Sequence, residues 1–362
     1  MTISYLKISG VRNLRAPEFS PSSRINIISG KNGSGKTSIL ESIHFLSTTR
    51  SFRTHEIRHL LTQGEESALV FSKVLEPSSN HPLPLGVEKR LSGETKVRFD
   101  GRTLDSAELA SLLPIQVLYS GTFELLDGSP AVRRQFVDWG GFHADPYFIS
   151  IWRAFRRALK QRNSLLKYGK IDRLQMQVWD QEFISYGELL TQHRRAYLEK
   201  LMPEFKRILA LLLDDVEIEL KFFSGWDSKR SLEAVVADQF DREVLQGFTL
   251  AGPQRADLRF KWDGVNAADR LSRGQKKLVV SALRLAQGHV FRQHSSRPCI
   301  YLVDDLPSEL DEPHARLFCQ FLEESLYQCF ITCVEPDSLL KFWSPDTDLA
   351  LFYLDAGLLS CR

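Results

Sequence analysis

The chain has 362 residues, 43% hydrophobic and 25% charged, with a formal net charge of +2. Such a composition supports one large or two ordinary globular domains with a sizeable core. So small a net charge gives no global attraction for nucleic acid, so any basic footprint must be local.

No apolar run reaches the ~18 residues that a membrane span needs. Residues 1–10 alternate like a strand, with Ile3, Tyr5 and Ile8 among polar residues, and lack the profile of a secretion signal. These features predict a cytosolic protein without a membrane partner. Ile25, Ile27 and Ile28 predict a β-branched strand, and Ser38 to Leu46 a helix after it. Residues 68–75 and 86–99 alternate like antiparallel strands around a proline- and serine-rich connection, Glu76 to Leu85. From Ala131 to Leu213 the period becomes helical, with Trp152, Phe155 and Leu159, then Trp179, Phe183, Leu190, Leu201 and Phe205, at spacings typical of one buried face. Pro203 is expected to start a new helix or kink this one. Val216, Ile218, Leu220 and Phe222 predict a strand, and residues 231–246 a helix. Beyond Thr249, strands and helices alternate as in an α/β domain. Residues 1–124 plus 249–362 are therefore expected to form one α/β head, split by a mostly helical insertion over 125–248. Cys299, Cys319, Cys329, Cys333 and Cys361 form no CxxC pair and read as free thiols of a reducing compartment.

Gly30-Lys31-Asn32-Gly33-Ser34-Gly35-Lys36-Thr37, followed by Ser38, fits GxxxxGK[ST] between a strand and a helix. Glycines let the backbone curl so that several N–H groups face one anion, and the helix start adds partial positive charge. Lys36 would reach the β- and γ-phosphates of a nucleotide, and Thr37 would ligate Mg²⁺. A glycine-rich turn that only caps its helix is the plainer alternative. Cys299 to Val303 is an apolar run that ends in Asp304 and Asp305. A buried strand of this kind carries its carboxylates to the ligand end of a parallel sheet. Asp304 would hold Mg²⁺, and Asp305 would orient or deprotonate a water. Leu271-Ser272-Arg273-Gly274-Gln275 precedes a long helix over 276–292, so Ser272 and the N–H groups near Gly274 can bind an anion, or Ser272 can cap the helix.

These three segments resemble the Walker A, Walker B and LSxGQ signature motifs of SMC/ABC-type ATPases. Four further segments, in order along the chain, resemble the RecF family within that superfamily: Gly10-Val11-Arg12-Asn13-Leu14, Ser47 to Thr54, Gly128 to Trp139, and Gly252 to Leu258. The resemblance implies an ATPase head with an antiparallel β subdomain, an inserted helical subdomain and no long coiled coil. It implies that Ser272, Arg273, Gly274 and Gln275 meet the γ-phosphate held by a second subunit. Ser308 and Asp311 fall in the matching D-loop, and Gln116 is the candidate Q-loop residue and a further Mg²⁺ ligand. It further implies an ATP-dependent homodimer on double-stranded and gapped DNA, weak DNA-stimulated ATP hydrolysis, and a place on the nucleoid. The implied work is DNA repair, with RecR and RecO helping to load RecA on DNA coated by single-strand binding protein (SSB). Gln254 stands where the family has His, and Asp305 where transporter ATPases have Glu.

Local support for DNA comes from Arg153, Arg156, Arg157, Lys160 and Arg162, beside the apolar row of the first long helix, with a solvated face as the equal alternative. Arg50 and Arg53 flank Phe52 and suit nucleotide, a partner head or DNA. The competing functions are an ABC transporter's ATPase subunit, a P-loop kinase, and a head that binds ATP without hydrolysing it.

Overall fold

In parallel strands that are covered on both faces, long apolar runs replace alternation. The runs at 25–29, 300–303 and 328–333 behave this way: every residue of Ile25–Ser29, Ile300–Val303 and Gln328–Cys333 is buried. The computed structural model describes residues 1–76, 81–168, 173–295 and 298–361. Most of the predicted connection Glu76 to Leu85 can therefore be placed, but its residues 77–80 lie outside the described ones. The chain divides into two units, Met1–Thr122 with Lys277–Arg362, and Phe123–Lys276.

The first unit contains two six-stranded sheets. One is antiparallel, in the order Glu18–Phe19, Thr2–Ser9, Ser67–Leu75, Leu83–Arg90, Thr95–Phe99, Arg102–Thr103. Ser67–Leu75 alternates buried and outward residues, as the sequence predicts, whereas 86–99 resolves into two strands joined by a turn. The other sheet runs Leu358–Cys361, Leu349–Asp355, Ile25–Ser29, Gln328–Cys333, Ile300–Val303, Ile115–Leu118, with only the Leu358–Cys361 edge antiparallel. Gln328–Cys333 thus lies between the strand before the glycine loop and the strand before the two acids, in register Cys333 to Ser29 and Ile331 to Val303. That register brings the carboxyl ends of all three strands to one edge.

The helix Lys36–Thr48 is buried around most of its circumference. Ile39, Ile43, Phe45 and Leu46 join Ile3, Leu6, Ile8, Val70 and Val87 of the antiparallel sheet in one core with Ile28 and Leu302 of the parallel one. The Gln328 side-chain amide crosses between the sheets, accepting from the Ile3 N–H at 2.7 Å and donating to the Ile3 carbonyl at 2.8 Å. Cys299, Cys319, Cys329 and Cys333 are buried free thiols, and Cys361 is exposed.

The second unit is mostly helical: Pro130–Ala144, Phe148–Tyr168, Arg173–Leu212 and Leu232–Gln246. A three-stranded antiparallel sheet of Glu219–Phe223, Asp257–Trp262 and Val265–Asn266 completes it. Residues 249–276, grouped with the head on sequence alone, pair and pack here instead. Arg133 forks onto Asp257 at 2.6 and 3.3 Å, Arg134 reaches the Ala256 carbonyl at 2.7 Å, and Arg194 joins Asp138 to the Pro253 carbonyl. The two RecF-like segments at 128–139 and 252–258 are therefore internal braces of one unit. Gln254 donates to the Ala251 carbonyl within its own turn.

Three expectations change. Of the two outcomes expected at Pro203, the start of a new helix is the one overturned: Arg173–Leu212 runs 40 residues through it, about 60 Å at 1.5 Å per residue. Leu201, Phe205, Ile208 and Leu212 are buried on both sides of the proline, and that packing outweighs the lost N–H bond. Val216 and Ile218 are buried but precede the strand, which covers only Glu219–Phe223. Arg162 is no part of a solvent-facing basic row: it is 0% exposed, pairs with Asp180 and Glu243 at 2.6 Å each, and donates to the Thr249 hydroxyl at 2.7 Å.

Removing one partner of a buried ion pair strands the other charge, at a cost of about 3–5 kcal/mol. Arg162→Ala should lower the unfolding free energy by about that amount, read as a shift in the urea midpoint at unchanged m-value. An unshifted midpoint would mean that water already reaches Glu243.

Candidate nucleotide-binding site

The loop after Ile25–Ser29 turns through Gly30, Gly33 and Gly35 at φ 153°, 78° and 111°. A side chain would also be sterically excluded at Gly30 and crowded at Gly35. A Cβ on Gly30 would sit 2.2 Å from the Leu354 carbonyl oxygen, and one on Gly35 would crowd Asn13 and Leu14 at 3.0 Å. Lys36 opens the helix and is buried, with its ammonium 2.6 Å from the Gly30 carbonyl and 3.1 Å from that of Lys31. The loop carbonyls thus hold a cation at the start of the helix, where the dipole is also positive. The Ser34 hydroxyl is buried without a partner among the described residues. A curled backbone, a gathered positive charge and an orphan hydroxyl are the features that an oligophosphate completes.

Thr37, one residue into the helix, donates to the Asp304 carboxylate, 2.9 and 3.0 Å from its two oxygens. Thr332, on the intervening strand, donates to Asp304 at 2.9 Å and accepts the Asp305 N–H at 2.7 Å. Burial raises the Asp304 pKa above the ordinary aspartate value, and the charge of Asp305 adds to the rise, while the Thr332 and Thr37 hydroxyls oppose it. A desolvated carboxylate beside a threonine hydroxyl is a hard-oxygen donor set of the kind Mg²⁺ takes. Asp305 itself adopts φ 50°, ψ 52°, a left-handed conformation uncommon outside glycine that places it at the turn into Leu306–Glu309.

Thr332 carries no motif letter and Asn13 only a place in the family-like segment Gly10 to Leu14, yet both touch the site. The Asn13 amide donates to the Gly33 carbonyl at 3.0 Å and so steadies the loop from outside. The available signals were an asparagine directly after Gly-Val-Arg and a lone hydroxyl in the apolar run Cys329-Phe330-Ile331-Thr332-Cys333. Beneath the loop, the wholly buried Glu41 accepts a fork from Arg12 at 2.8 and 2.9 Å, bonds the Ser51 hydroxyl, and lies 3.8 Å from Arg53.

Gln116 does not join Thr37 and Asp304. It lies on the strand Ile115–Leu118, opposite Tyr301, and its buried amide donates to Gln287 at 3.1 Å and accepts from Arg284 at 3.4 Å. Ser308 is exposed, with its hydroxyl on the Asp305 carbonyl at 3.0 Å, and Asp311 caps the helix Glu312–Glu324 through the His314 N–H. Lys277 holds this turn by the Ser308 carbonyl and Glu309.

Ser272, Arg273 and Gly274 are exposed in the second unit, and Gln275 is half-buried. Ser272 and Gln275 close a reciprocal cap: the Gln275 N–H donates to the Ser272 hydroxyl oxygen at 3.2 Å, and the Ser272 N–H to the Gln275 side chain at 2.9 Å. The capping role is therefore real, and the serine proton remains available to an anion. Arg153, Arg156, Arg157 and Lys160 are exposed on Phe148–Tyr168. Arg156 stacks over Trp152, and Arg157 pairs with Glu182.

The sequence model of the family described as RecF/RecN/SMC N terminal domain matches residues 2–348. The DNA replication and repair protein RecF of Pseudomonas fluorescens (strain SBW25) is 46% identical over 358 residues, covering 99% of this chain and 97% of that protein. That of Marinomonas sp. (strain MWYL1) is 46% identical over 361 residues, 99% and 98% of the two chains. Among solved structures, the recombination mediator protein RecF with ATP in the RecFOR pathway superposes with a TM-score of 0.88 at 22% identity, covering 100% of this chain and 97% of that one. An Smc head domain from Pyrococcus furiosus gives 0.58 at 16%, covering 100% and 96%, and both structures share the fold. With nearly half of its residues identical along almost its whole length, the chain belongs to the RecF family.

Proposed function

We propose that the chain is an ATP-dependent DNA clamp of replication and recombinational repair, and a slow ATPase. The observation that carries this reading is the Thr37–Asp304–Thr332–Asp305 hydrogen-bond chain at the open end of the glycine loop. Lys36 and the loop N–H groups bind the β- and γ-phosphates. Thr37 and Asp304 would hold Mg²⁺, which supplies charge neutralisation on those phosphates when bound. Asp305 orients and deprotonates the attacking water. Its side chain is one methylene shorter than the glutamate of transporter ATPases, which fits slow turnover. Ser272 to Gln275, exposed and capping a helix start, complete the site of a second copy, with the D-loop residues Ser308 and Asp311 at the same interface. Closure grips double-stranded DNA beside a single-strand gap, and hydrolysis, stimulated by that DNA, releases it.

Arg153, Arg156, Arg157 and Lys160 provide backbone contacts with no base reading. RecR with RecO receives the clamp, and RecA is loaded on SSB-coated DNA as a consequence. A cytoplasmic, nucleoid-associated place follows from this work. No helix among the described residues is long and apolar enough to cross a membrane.

Sedimentation with and without ATP and Mg²⁺, each with and without a gapped duplex, tests the reading. An ATP-dependent dimer that carries the DNA is expected, and a monomer indifferent to both would sink it. Lys36→Ala should weaken nucleotide binding about ten- to hundredfold, the ~1.5–3 kcal/mol of a charge-assisted hydrogen bond. Asp305→Asn should leave binding intact, slow hydrolysis by about 10²–10⁴ and trap the dimer. Ser272→Arg should spare ATP binding by the monomer and block dimerisation, so an arginine variant that still dimerises with ATP refutes the trans role.

Asp304 also makes stability depend on pH. Its folded pKa is raised, so its contribution is most favourable below the unfolded value and is lost as pH rises through the folded one. Asp304→Asn should therefore raise the melting temperature of the nucleotide-free protein at pH 8 more than at pH 4, while Mg²⁺-dependent ATP binding disappears. An equal gain at both pH values would show that the carboxylate is not desolvated.

A further inference from the structure

The helix Lys36–Thr48 has a second end. Beyond it the first unit holds a cavity of about 330 Å³ whose lining includes Thr49, Arg50, Thr54, His55, Ile57 and Lys89. The helix between has 13 residues, so its far end at Thr49 lies about 20 Å along the axis from Lys36, at 1.5 Å per residue. None of the residues lining the cavity belongs to the glycine loop.

Its charges are unbalanced. Lys89, on the strand Leu83–Arg90, is half-buried and gives one hydrogen bond, 3.2 Å to the Thr49 carbonyl. An ammonium has three donors, so this bond leaves most of its capacity unused. Burial, and then the charge of Arg50, hold the Lys89 ammonium below the ordinary lysine pKa. The two cations therefore feel one another. Among the described residues neither has a carboxylate partner within an ion-pair distance, and the Arg50 guanidinium has no hydrogen bond. Glu56, the acid in the lining, is already engaged by Arg58 and His59. Like charges held close in partly desolvated surroundings repel, and an anion between them turns that repulsion into two attractions.

We propose that this cavity is an anion site for one phosphodiester of the DNA backbone, with Arg50 and Lys89 as its two cations. The assignment rests on the reading of the chain as a DNA-binding protein and adds a surface to it. A phosphodiester offers two unesterified oxygens on a single charge, one for the planar guanidinium and one for the ammonium. Arg50 and His55 are exposed at the rim, so a polymer can present its phosphate without entering. A chain with a net charge of only +2 must concentrate its phosphate contacts in such places. Free phosphate and nucleotide share this chemistry and are separated from DNA by the test.

The measurement is the anisotropy of a labelled duplex titrated with the full chain, ATP and Mg²⁺, from about 50 to about 200 mM salt. Arg50→Gln and Lys89→Gln should each weaken binding several-fold and reduce the slope of log affinity against log salt by about one. Lys89→Arg should keep the slope. The thermal midpoint and the affinity for a fluorescent ATP analogue should not move. Because Arg50 is exposed, its variant remains informative if Lys89→Gln fails to fold. Folded variants that keep the wild-type slope overturn the inference alone. A parallel loss of ATP-analogue affinity overturns it in favour of nucleotide. Inorganic phosphate at constant ionic strength that raises the thermal midpoint of the wild type but not of the variants, with DNA slopes unchanged, overturns it in favour of the free anion. A wild-type chain that binds no duplex at low salt overturns the DNA reading itself and this inference with it.

Discussion

The carboxylate of Asp304 is reached by hydroxyls from two directions, Thr37 at the start of the loop helix and Thr332 on the strand between. Both bonds depend on strand register. If Gln328–Cys333 slipped by one residue against Ile300–Val303, Thr332 would face the other side of the sheet and Asp304 would lose a partner. The core enforces that register, because Ile28, Leu302 and Phe330 pack together with the helix Lys36–Thr48 and the antiparallel sheet. The nucleotide end is thus assembled by packing a considerable distance away. Its own residues pull the other way: a buried carboxylate with a raised pKa, next to a second aspartate in a left-handed conformation. Strain and desolvation of this kind are what a site spends its stability on.

The same unit uses buried charge in two different ways. Glu41 is fully buried, yet it is satisfied by Arg12, Ser51 and Arg53, and it ties the segment before the loop to the segment after the loop helix. Lys89 and Arg50 are half-buried and exposed, and lack such a partner among the described residues. Paired ions consolidate a structure, whereas unpaired ones of like sign signal a missing ligand. The helical unit shows a contrast of burial. Arg133, Arg162 and Arg194 are engaged by internal carboxylates, while Arg156 and Lys160 are exposed on the helix that also carries Arg162. A count of basic residues along that helix treats them alike, although one arginine is core and its neighbours are surface.

The exposed Ser272–Gln275 turn also fits this pattern. Its reciprocal cap satisfies the helix start without an external partner, so the turn is stable alone and still presents a hydroxyl proton and a positive helix end to solvent. Nothing in the fold of this turn depends on a second copy, as the proposed dimer requires.

The motif letters were legible because each has a local physical cause. Positive-φ glycines, a helix start beside Lys36 and an apolar run that stops at two acids can be read from spacing alone, and so can the α/β–helical–α/β order of the chain. The contacts of Asn13 and Thr332 were invisible, although Asn13 lies in a family-like segment, because their partners are at Gly33 and Asp304 and only folding brings them together. The surroundings of Gln116 were hidden for the same reason: strand pairing opposite Tyr301 sets its amide beside Gln287 and Arg284. Residues 249–276 joined the helical unit because Asp257–Trp262 found its pairing partner in Glu219–Phe223, a choice no local pattern records. By itself the sequence determined the loop, the acidic pair, the signature and the family, since those depend on residue type at short spacing. Tertiary structure alone decided which charges are buried, which arginines are spent internally and which hydroxyls reach Asp304, because burial and long-range pairing are properties of the packed chain.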